Sequence, residues 1–510
     1  MGKSRRGNLE VEEKQRSIWL ENENIQSKSI VCIIAFLILG MVTVCTGEMK
    51  WSKAQVVIDA VCIVAVLSLL ILYVFRNVRI EVFAFLCIIF LGGMSVLVQP
   101  ILNIPDETAH FARAERVSEG KMFADPAMQS FETIQSVIEL QNSVGIPITQ
   151  SELKNKEIDY RVGYVNHVAA SNLSFLYFPQ AIGIKIAKVM NLDAVWLLWL
   201  ARLCNLVFYA ILIMIAVKIT PRLKYLFFLI SLFPMSIQQA ASCSVDAMIN
   251  GITIVYIALF LYLYNKKSVN RKELLVFYIV SIFVILAKVT NICIAGLILL
   301  LPLEKNDRKI KSYFIKCVGI LGICIIAISY YLYTMKFAQN LAQLEYVTKM
   351  NVNGGEQVKY IFGNFKHWIR MFVAAMLNQI YTSVIQLSTF GWLSYGYPIL
   401  IVVMPFIYGK ICFQEQGMDF SKFEKFLITL MVLGSYGFTC LALYIGWTPV
   451  GSESIEGVQG RYFIPILVLL GLVLAPGKNK EKKEQQVVDV MLALLMVASM
   501  IIVTSNHYYA

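Results

Sequence analysis

Apolar runs of about twenty residues recur from one end of this chain to the other. They lie near 29–46, 55–75, 80–98, 194–218, 222–240, 246–264, 273–303, 312–334, 397–412, 424–446, 461–476 and 486–504. A hydrocarbon core about 30 Å thick takes roughly 20 apolar residues per helix. Inside it each backbone amide and carbonyl must be bonded within the protein, so such runs fold as helices. The chain has 15% charged residues, well under the roughly 25% of soluble domains. The sequence therefore predicts an all-α polytopic membrane protein.

The basic residues set the expected orientation. Six Lys or Arg in the first 28 residues place that segment in the cytoplasm. No small-residue cleavage site follows the first run, so a retained helix is expected there. The links "KITPRLK" (218–224), "NKKSVNRKE" (265–273), "LEKNDRKIK" (303–311) and "GKNKEKKE" (477–484) are also basic and belong inside. Keeping them there requires that 173–190 does not cross. It also requires that 273–303 crosses twice, with an outer turn at Lys288-Val289-Thr290-Asn291. The expectation is about thirteen spans, with the N-terminus in and the C-terminus out. The formal net charge of +12 is thus an orientation signal and does not point to nucleic acid. The eleven cysteines show no CxxC spacing, so neither a disulfide framework nor a zinc site is expected.

In that arrangement the polar stretches that are not simply basic share the outer side: 99–172, 242–246, 288–291, 336–366 and 446–461. The first holds ten Asp or Glu against six Lys or Arg. Within it, "PDETAHFARAERV" (105–117) reads as a short amphipathic helix in the interface. Asp106 and Glu107 have two readings. One is a cap at the helix N-terminus, where the dipole favours negative charge. The other is a general base, because partial burial at the hydrocarbon boundary raises a carboxylate pKa. His110 and Arg113 follow at helical spacing, so the three are expected to share a face.

Other residues carry paired readings too. Lys288 is a snorkelling lysine or an intramembrane cation with a function. Arg461 and Tyr462, in "QGRY", are an interfacial anchor or a phosphate clamp. Asp246 and Asn250 are a cap and an interhelical bond, or supports of a site. Arg202, near Asn205, is an intramembrane arginine that needs a partner. Asp59 reads as structural, His167 and His367 as solvated loop histidines, and "GGEQ" (354–357) as a flexible loop.

A span followed by Pro-Asp-Glu, x-x-His-Phe and an interfacial helix resembles the opening of GT-C-fold glycosyltransferases, among them the protein O-mannosyltransferases and the lipid A aminoarabinose transferases. The match falls on Pro105, Asp106, Glu107, His110 and Phe111. A bacterial family of multispanning proteins of unassigned function, grouped with that fold, is more similar still. "SFLYFPQAIGI", "ARLCNLVF", "LFPMSIQQAASCSVDAMIN", "LAKVTN" and "GVQGRYFIPIL" resemble it in the same order.

The resemblance covers 80–476. It implies a cytoplasmic segment at 1–28, two added helices in 29–79, and a GT-C-like core at 80–476. That core would carry extracytoplasmic regions at 99–193 and 336–396, and a basic link with a last helix would occupy 477–510. The implied activity moves a sugar from a polyprenyl-phosphate donor to a glycan or lipid of the cell envelope, outside a bacterial plasma membrane. Asp106 and Glu107 would be catalytic. Lys288, Arg461, Tyr462, His110 and Arg113 would meet the donor phosphate, with Asp246, Asn250, Arg202 and Asn291 in support. No particular cofactor is implied, and a divalent cation (Mg or Mn) is compatible with the chemistry. The other expectations left open are a flippase for a lipid-linked glycan and a non-catalytic envelope scaffold.

Overall fold

The computed structural model describes residues 28–46, 51–76, 78–128, 130–166, 169–303, 309–337, 345–391, 398–477 and 483–509. His167 lies outside them. Three helices come first: α1 (Lys28–Thr46), α2 (Lys53–Arg76) and α3 (Ile80–Val98). A folded segment then holds α4 (Glu107–Ser118), β1 (Ser130–Ile134), α5 (Gln135–Asn142), β2 (Val162–Asn166) and α6 (Phe178–Val189). The bundle resumes with α7 (Ala194–Ile219), α8 (Lys224–Ser231), α9 (Pro234–Ala240), α10 (Asp246–Tyr264) and α11 (Arg271–Ala287). A 3-10 segment (Val289–Leu300) and α12 (Lys309–Met335) follow, then α13 (Glu345–Lys349), α14 (Gly354–Gly363) and α15 (Phe365–Leu387). The chain ends with α16 (Pro398–Gln414), α17 (Lys422–Gly446), α18 (Ile464–Leu474) and α19 (Lys483–Tyr509).

Eight of these (α1, α2, α3, α7, α10, α12, α17 and α19) are long and apolar enough to cross a membrane. Outward-facing Leu321, Ile325, Ile328 and Leu332 on α12 leave an apolar flank that water would not tolerate. Lipid contact accounts for it.

The run 273–303 folds back on itself. Lys288 is extended, with φ of −155°. Val269 pairs with Leu303, and its amide donates to Pro302 O at 2.7 Å. The two legs match in length: α11 rises about 25 Å and the 3-10 segment, at about 2 Å per residue, about 24 Å. Lys288 thus stands at the tip and both legs start from one end of the bundle. Residues 224–240 form a broken helix, with Pro234 opening α9 after the break. Ser236 Oγ donates to Ile230 O at 2.8 Å and satisfies a carbonyl freed there.

The bundle has two chemically distinct ends. At one, Glu415 accepts from the Tyr225 and Leu226 amides at 2.8 and 2.7 Å, and Arg222 donates to Gly417 O. Lys425 donates to Val473 O and Ala475 O. The links 218–224, 415–425 and 475–477 therefore share that end. At the other, Tyr509 Oη donates to Leu97 O, Asn103 donates to Tyr508 Oη, and Ser52 bonds Tyr509 O.

Segment 99–193 folds over this second end. It is not purely helical: β1 and β2 pair antiparallel with Phe131 opposite Val165. Helix α6 has twelve residues. It lies along the start of α7 so closely that a Cβ on Gly183 would meet Leu200 O at 2.2 Å. Helix α4 is enclosed, with nine of twelve residues buried, and is not the surface-lying helix its amphipathic spacing suggested. The "GGEQ" stretch opens α14 and is not a loop, because Asn353 caps it by accepting from the Gly355 and Glu356 amides. His367 is exposed, on α15, and Asp59 is buried in α2.

Candidate functional site

Pro105 brings the chain off α3, and Asp106 turns it into α4 with a left-handed backbone, φ 63° and ψ 6°. Asp is among the few L residues that accept this region. Its side chain makes no capping bond. It pairs instead with Arg461 Nη2, 355 residues away, and remains half exposed. Of the two readings of Asp106, the side-chain cap is therefore not formed, and the carboxylate faces Arg461.

Arg461 sits in the short 3-10 turn Gly460–Phe463 that leads into α18, almost fully buried. Its Nη1 lies 2.9 Å from Asp246 Oδ2 and donates to Pro105 O at 3.1 Å and Gln239 Oε1 at 3.4 Å. The guanidinium stands between Asp106 and Asp246, the place a divalent ion would take between two carboxylates. Among the described residues no group of three or more His, Cys, Asp or Glu could hold a metal. The expected phosphate fork is therefore already occupied by carboxylates in this state. Lys288 Nζ lies 3.9 Å from the centre of the Tyr462 ring. It makes no ion pair among the described residues, which leaves it the open cation of the group.

Glu107 has the opposite fate. It has no exposed surface, and Arg202 grips it with Nε to Oε1 at 2.8 Å and Nη2 to Oε2 at 2.6 Å. Oε1 also accepts from the Cys243 amide at 2.9 Å. Arg202 bonds Gln99 O and Pro100 O as well. The expected second catalytic carboxylate is enclosed in a tie between α3, α4, α7 and the chain before α10.

Nor do Glu107, His110 and Arg113 converge. Six residues along a helix turn a side chain about 120° away. His110 Nδ1 is 2.8 Å from Tyr177 Oη, while Arg113 donates to Met122 O at 2.8 Å and to Ser174 Oγ at 3.1 Å. Arg113 ties the segment after α4, with both terminal nitrogens already bonded. Asn205 bonds Ser242 O and Ser244 O, Asn291 donates to Thr253 Oγ1 at 3.3 Å, and Asn250 is buried one turn along α10 from Asp246.

Charges set the protonation states. Burial pushes the Asp106 carboxyl up, but the Arg461 guanidinium outweighs it, so the group lies below its ordinary value. A base raised by desolvation, as the sequence suggested, is not what this state holds. Burial also lowers His110, against the pull of Asp106 and Asp246.

Of the five polar stretches expected on the outer side, four contribute to this cluster, through Asp106, Asp246, Lys288 and Arg461. The fourth in sequence instead meets the loop before Arg461 through α14, where Gln357 accepts from the Gly451 amide at 2.9 Å. Sequence reasoning missed Tyr177 and Gln239. The Gln238-Gln239 pair within an apolar run was the available signal.

The fold and site define a polytopic α-helical membrane protein with a buried ion cluster at one end of its bundle. The chain belongs to the family described as "Predicted membrane protein (DUF2142)", whose model matches residues 87–470. No curated protein and no solved structure matches it.

Proposed function

We propose that this protein is a GT-C-like glycosyltransferase of a bacterial plasma membrane. It uses a polyprenyl-phosphate sugar to modify an envelope glycan or lipid on the outer face. The observation that carries the reading is Asp106, a half-exposed carboxylate paired with Arg461 in a cluster that also holds the open cation Lys288. The cluster lies at the end of the bundle opposite the basic links, which by the positive-inside rule is the extracytoplasmic end. In this reading thirteen segments cross, with α8–α9 as one and the α11 hairpin as two.

Asp106 takes the acceptor hydroxyl proton as the acceptor oxygen bonds the anomeric carbon. The bond from that carbon to the phosphate oxygen breaks, and polyprenyl phosphate leaves with the electron pair. Lys288 meets the phosphate first. As the phosphate approaches Arg461 it competes with Asp106 for the fork and frees the base.

A deletion strain complemented with wild type or Asp106→Asn, read by mass spectrometry of envelope glycans, tests this. We expect a sugar-sized mass lost on deletion, restored by wild type and not by Asp106→Asn. General-base catalysis contributes roughly 10²–10⁴-fold, and Asn keeps the size of Asp. Unchanged glycans in all strains would overturn the reading. Lipid-linked glycan accumulating at the inner face would replace it with a flippase.

A further inference from the structure

The outer segment carries a second site that the ion cluster does not use. Between α4, the β1–β2 ribbon and α6 lies an open cavity of about 400 Å³. Its floor is a buried network: Lys188 lies 2.6 Å from Glu115, whose other oxygen accepts from Thr133 Oγ1 at 2.9 Å. Lys188 and Lys185 also face Glu119, and Lys121 pairs with Glu132 at 2.9 Å. Every lining acid is therefore matched by a lysine.

Arg116 is the exception. It lines the cavity, is about nine-tenths buried and lies with its guanidinium carbon 4.8 Å from the centre of the Phe131 ring. It forms no ion pair among the described residues, and its buried Nε has no acceptor. A buried guanidinium nitrogen without an acceptor is costly, and a planar fork held against an aromatic ring suits a carboxylate or phosphate oxygen pair. Four cations against three carboxylates leave one positive charge unmatched, which selects a monoanion. The Lys–Glu pairs offer donors and acceptors to hydroxyl groups, and the Tyr160 ring at the rim is half exposed, open to stack on a sugar face.

We propose that this cavity binds a saccharide unit bearing a single negative charge, carried as a ring carboxylate or a phosphodiester. The site lies nine to ten residues along α4 from Asp106, about 14 Å. Resting on the glycosyltransferase reading, it is the subsite that grips an anionic acceptor glycan a few units from the end being extended.

The experiment uses the purified full chain in detergent, with binding read by saturation-transfer NMR and calorimetry. The probes are glucuronate, glucose and glycerophosphoglycerol. A charged probe should bind at least tenfold more tightly than glucose, and which one does so identifies the carrier of the charge. Arg116→Gln should abolish that preference and Arg116→Lys restore part of it. Tyr160→Ala, at the exposed rim where folding is not at stake, should weaken both charged probes several-fold. Equal affinity for glucose and the charged probes, no binding of any probe, or full binding by a folded Arg116→Gln protein would overturn the site. Because the readout is binding, a protein that binds glucuronate and transfers no sugar overturns only the enzyme reading. One that transfers sugar and binds neither charged probe overturns only this site.

Discussion

Glu107→Gln tests the division of labour between the two adjacent acids. The substitution keeps shape and leaves an oxygen for the Cys243 amide, but removes the charge that balances Arg202, which has no exposed surface. Breaking one partner of a buried pair costs about 3–5 kcal/mol. Arg202 keeps two carbonyl acceptors at 3.1 and 2.8 Å, so the lower end, about 3 kcal/mol, applies. At about 2 °C per kcal/mol for a large chain, the apparent melting temperature should fall by about 6 °C, measured by fluorescence-detected size exclusion of heated, detergent-solubilised protein. Arg202→Gln should lose at least as much. The double variant should fall short of the sum by about 2–3 kcal/mol, the coupling of residues in direct contact. Melting unchanged in Glu107→Gln, with activity gone, would refute the structural role and return Glu107 to the chemistry.

Lys288→Met should leave melting within about 2 °C, since only a cation–π contact worth about 0.5–1 kcal/mol is lost. It should weaken polyprenyl-phosphate binding about tenfold or more, the loss of one charge-assisted bond; unchanged affinity in a binding titration would make Lys288 a snorkelling residue. His110 lies below its unfolded value, so the unfolded chain takes up a proton first as pH falls through about 6.5. Its contribution to stability is therefore complete above about pH 6.5 and declines below, a slope that His110→Gln should reduce in melts taken from pH 5 to 8. Cysteines replacing Glu356 and Glu453 should react with a membrane-impermeant thiol reagent in intact cells, above the native-cysteine background, and one replacing Lys267 should not. Labelling at Lys267 alone would invert the bundle.

The class of fold was legible because bilayer helices declare themselves through length and composition alone. Even the hairpin of 273–303 followed from keeping two basic links on one side. The pairings were not legible. An intramembrane arginine announces that a partner exists, yet Arg202 and Glu107 stand 95 residues apart, and only tertiary packing names the match. Arg461 and Asp106 were both singled out, but as a clamp and a base working apart. That they neutralise one another depends on a contact no local pattern encodes. The ribbon was missed because its strands are five residues each and 27 residues apart. At "PDE" local chemistry left a cap and a catalytic pair both open, and the partners that decide between them, Arg461 for Asp106 and Arg202 for Glu107, lie far along the chain.

That pairing has a kinetic consequence under the proposed reading. In the resting state Arg461 holds Asp106 below its ordinary value, which makes it a poor base. A donor phosphate that takes the Arg461 fork removes the largest opposing charge, and the partial burial that remains then pushes the carboxyl up. The acid limb of kcat/KM reports the free enzyme and that of kcat the bound complex. The limb for kcat should therefore lie at higher pH than the limb for kcat/KM. The sign follows from the base: Asp106 must be ionised to act, so rate falls as pH drops through whichever value applies. Initial rates from pH 4 to 8, at saturating and at limiting donor, separate the two. Coincident limbs would mean that Asp106 keeps its arginine throughout, and that donor binding does not arm the base. A kcat limb at lower pH would mean the donor brings Asp106 more positive charge than it takes away.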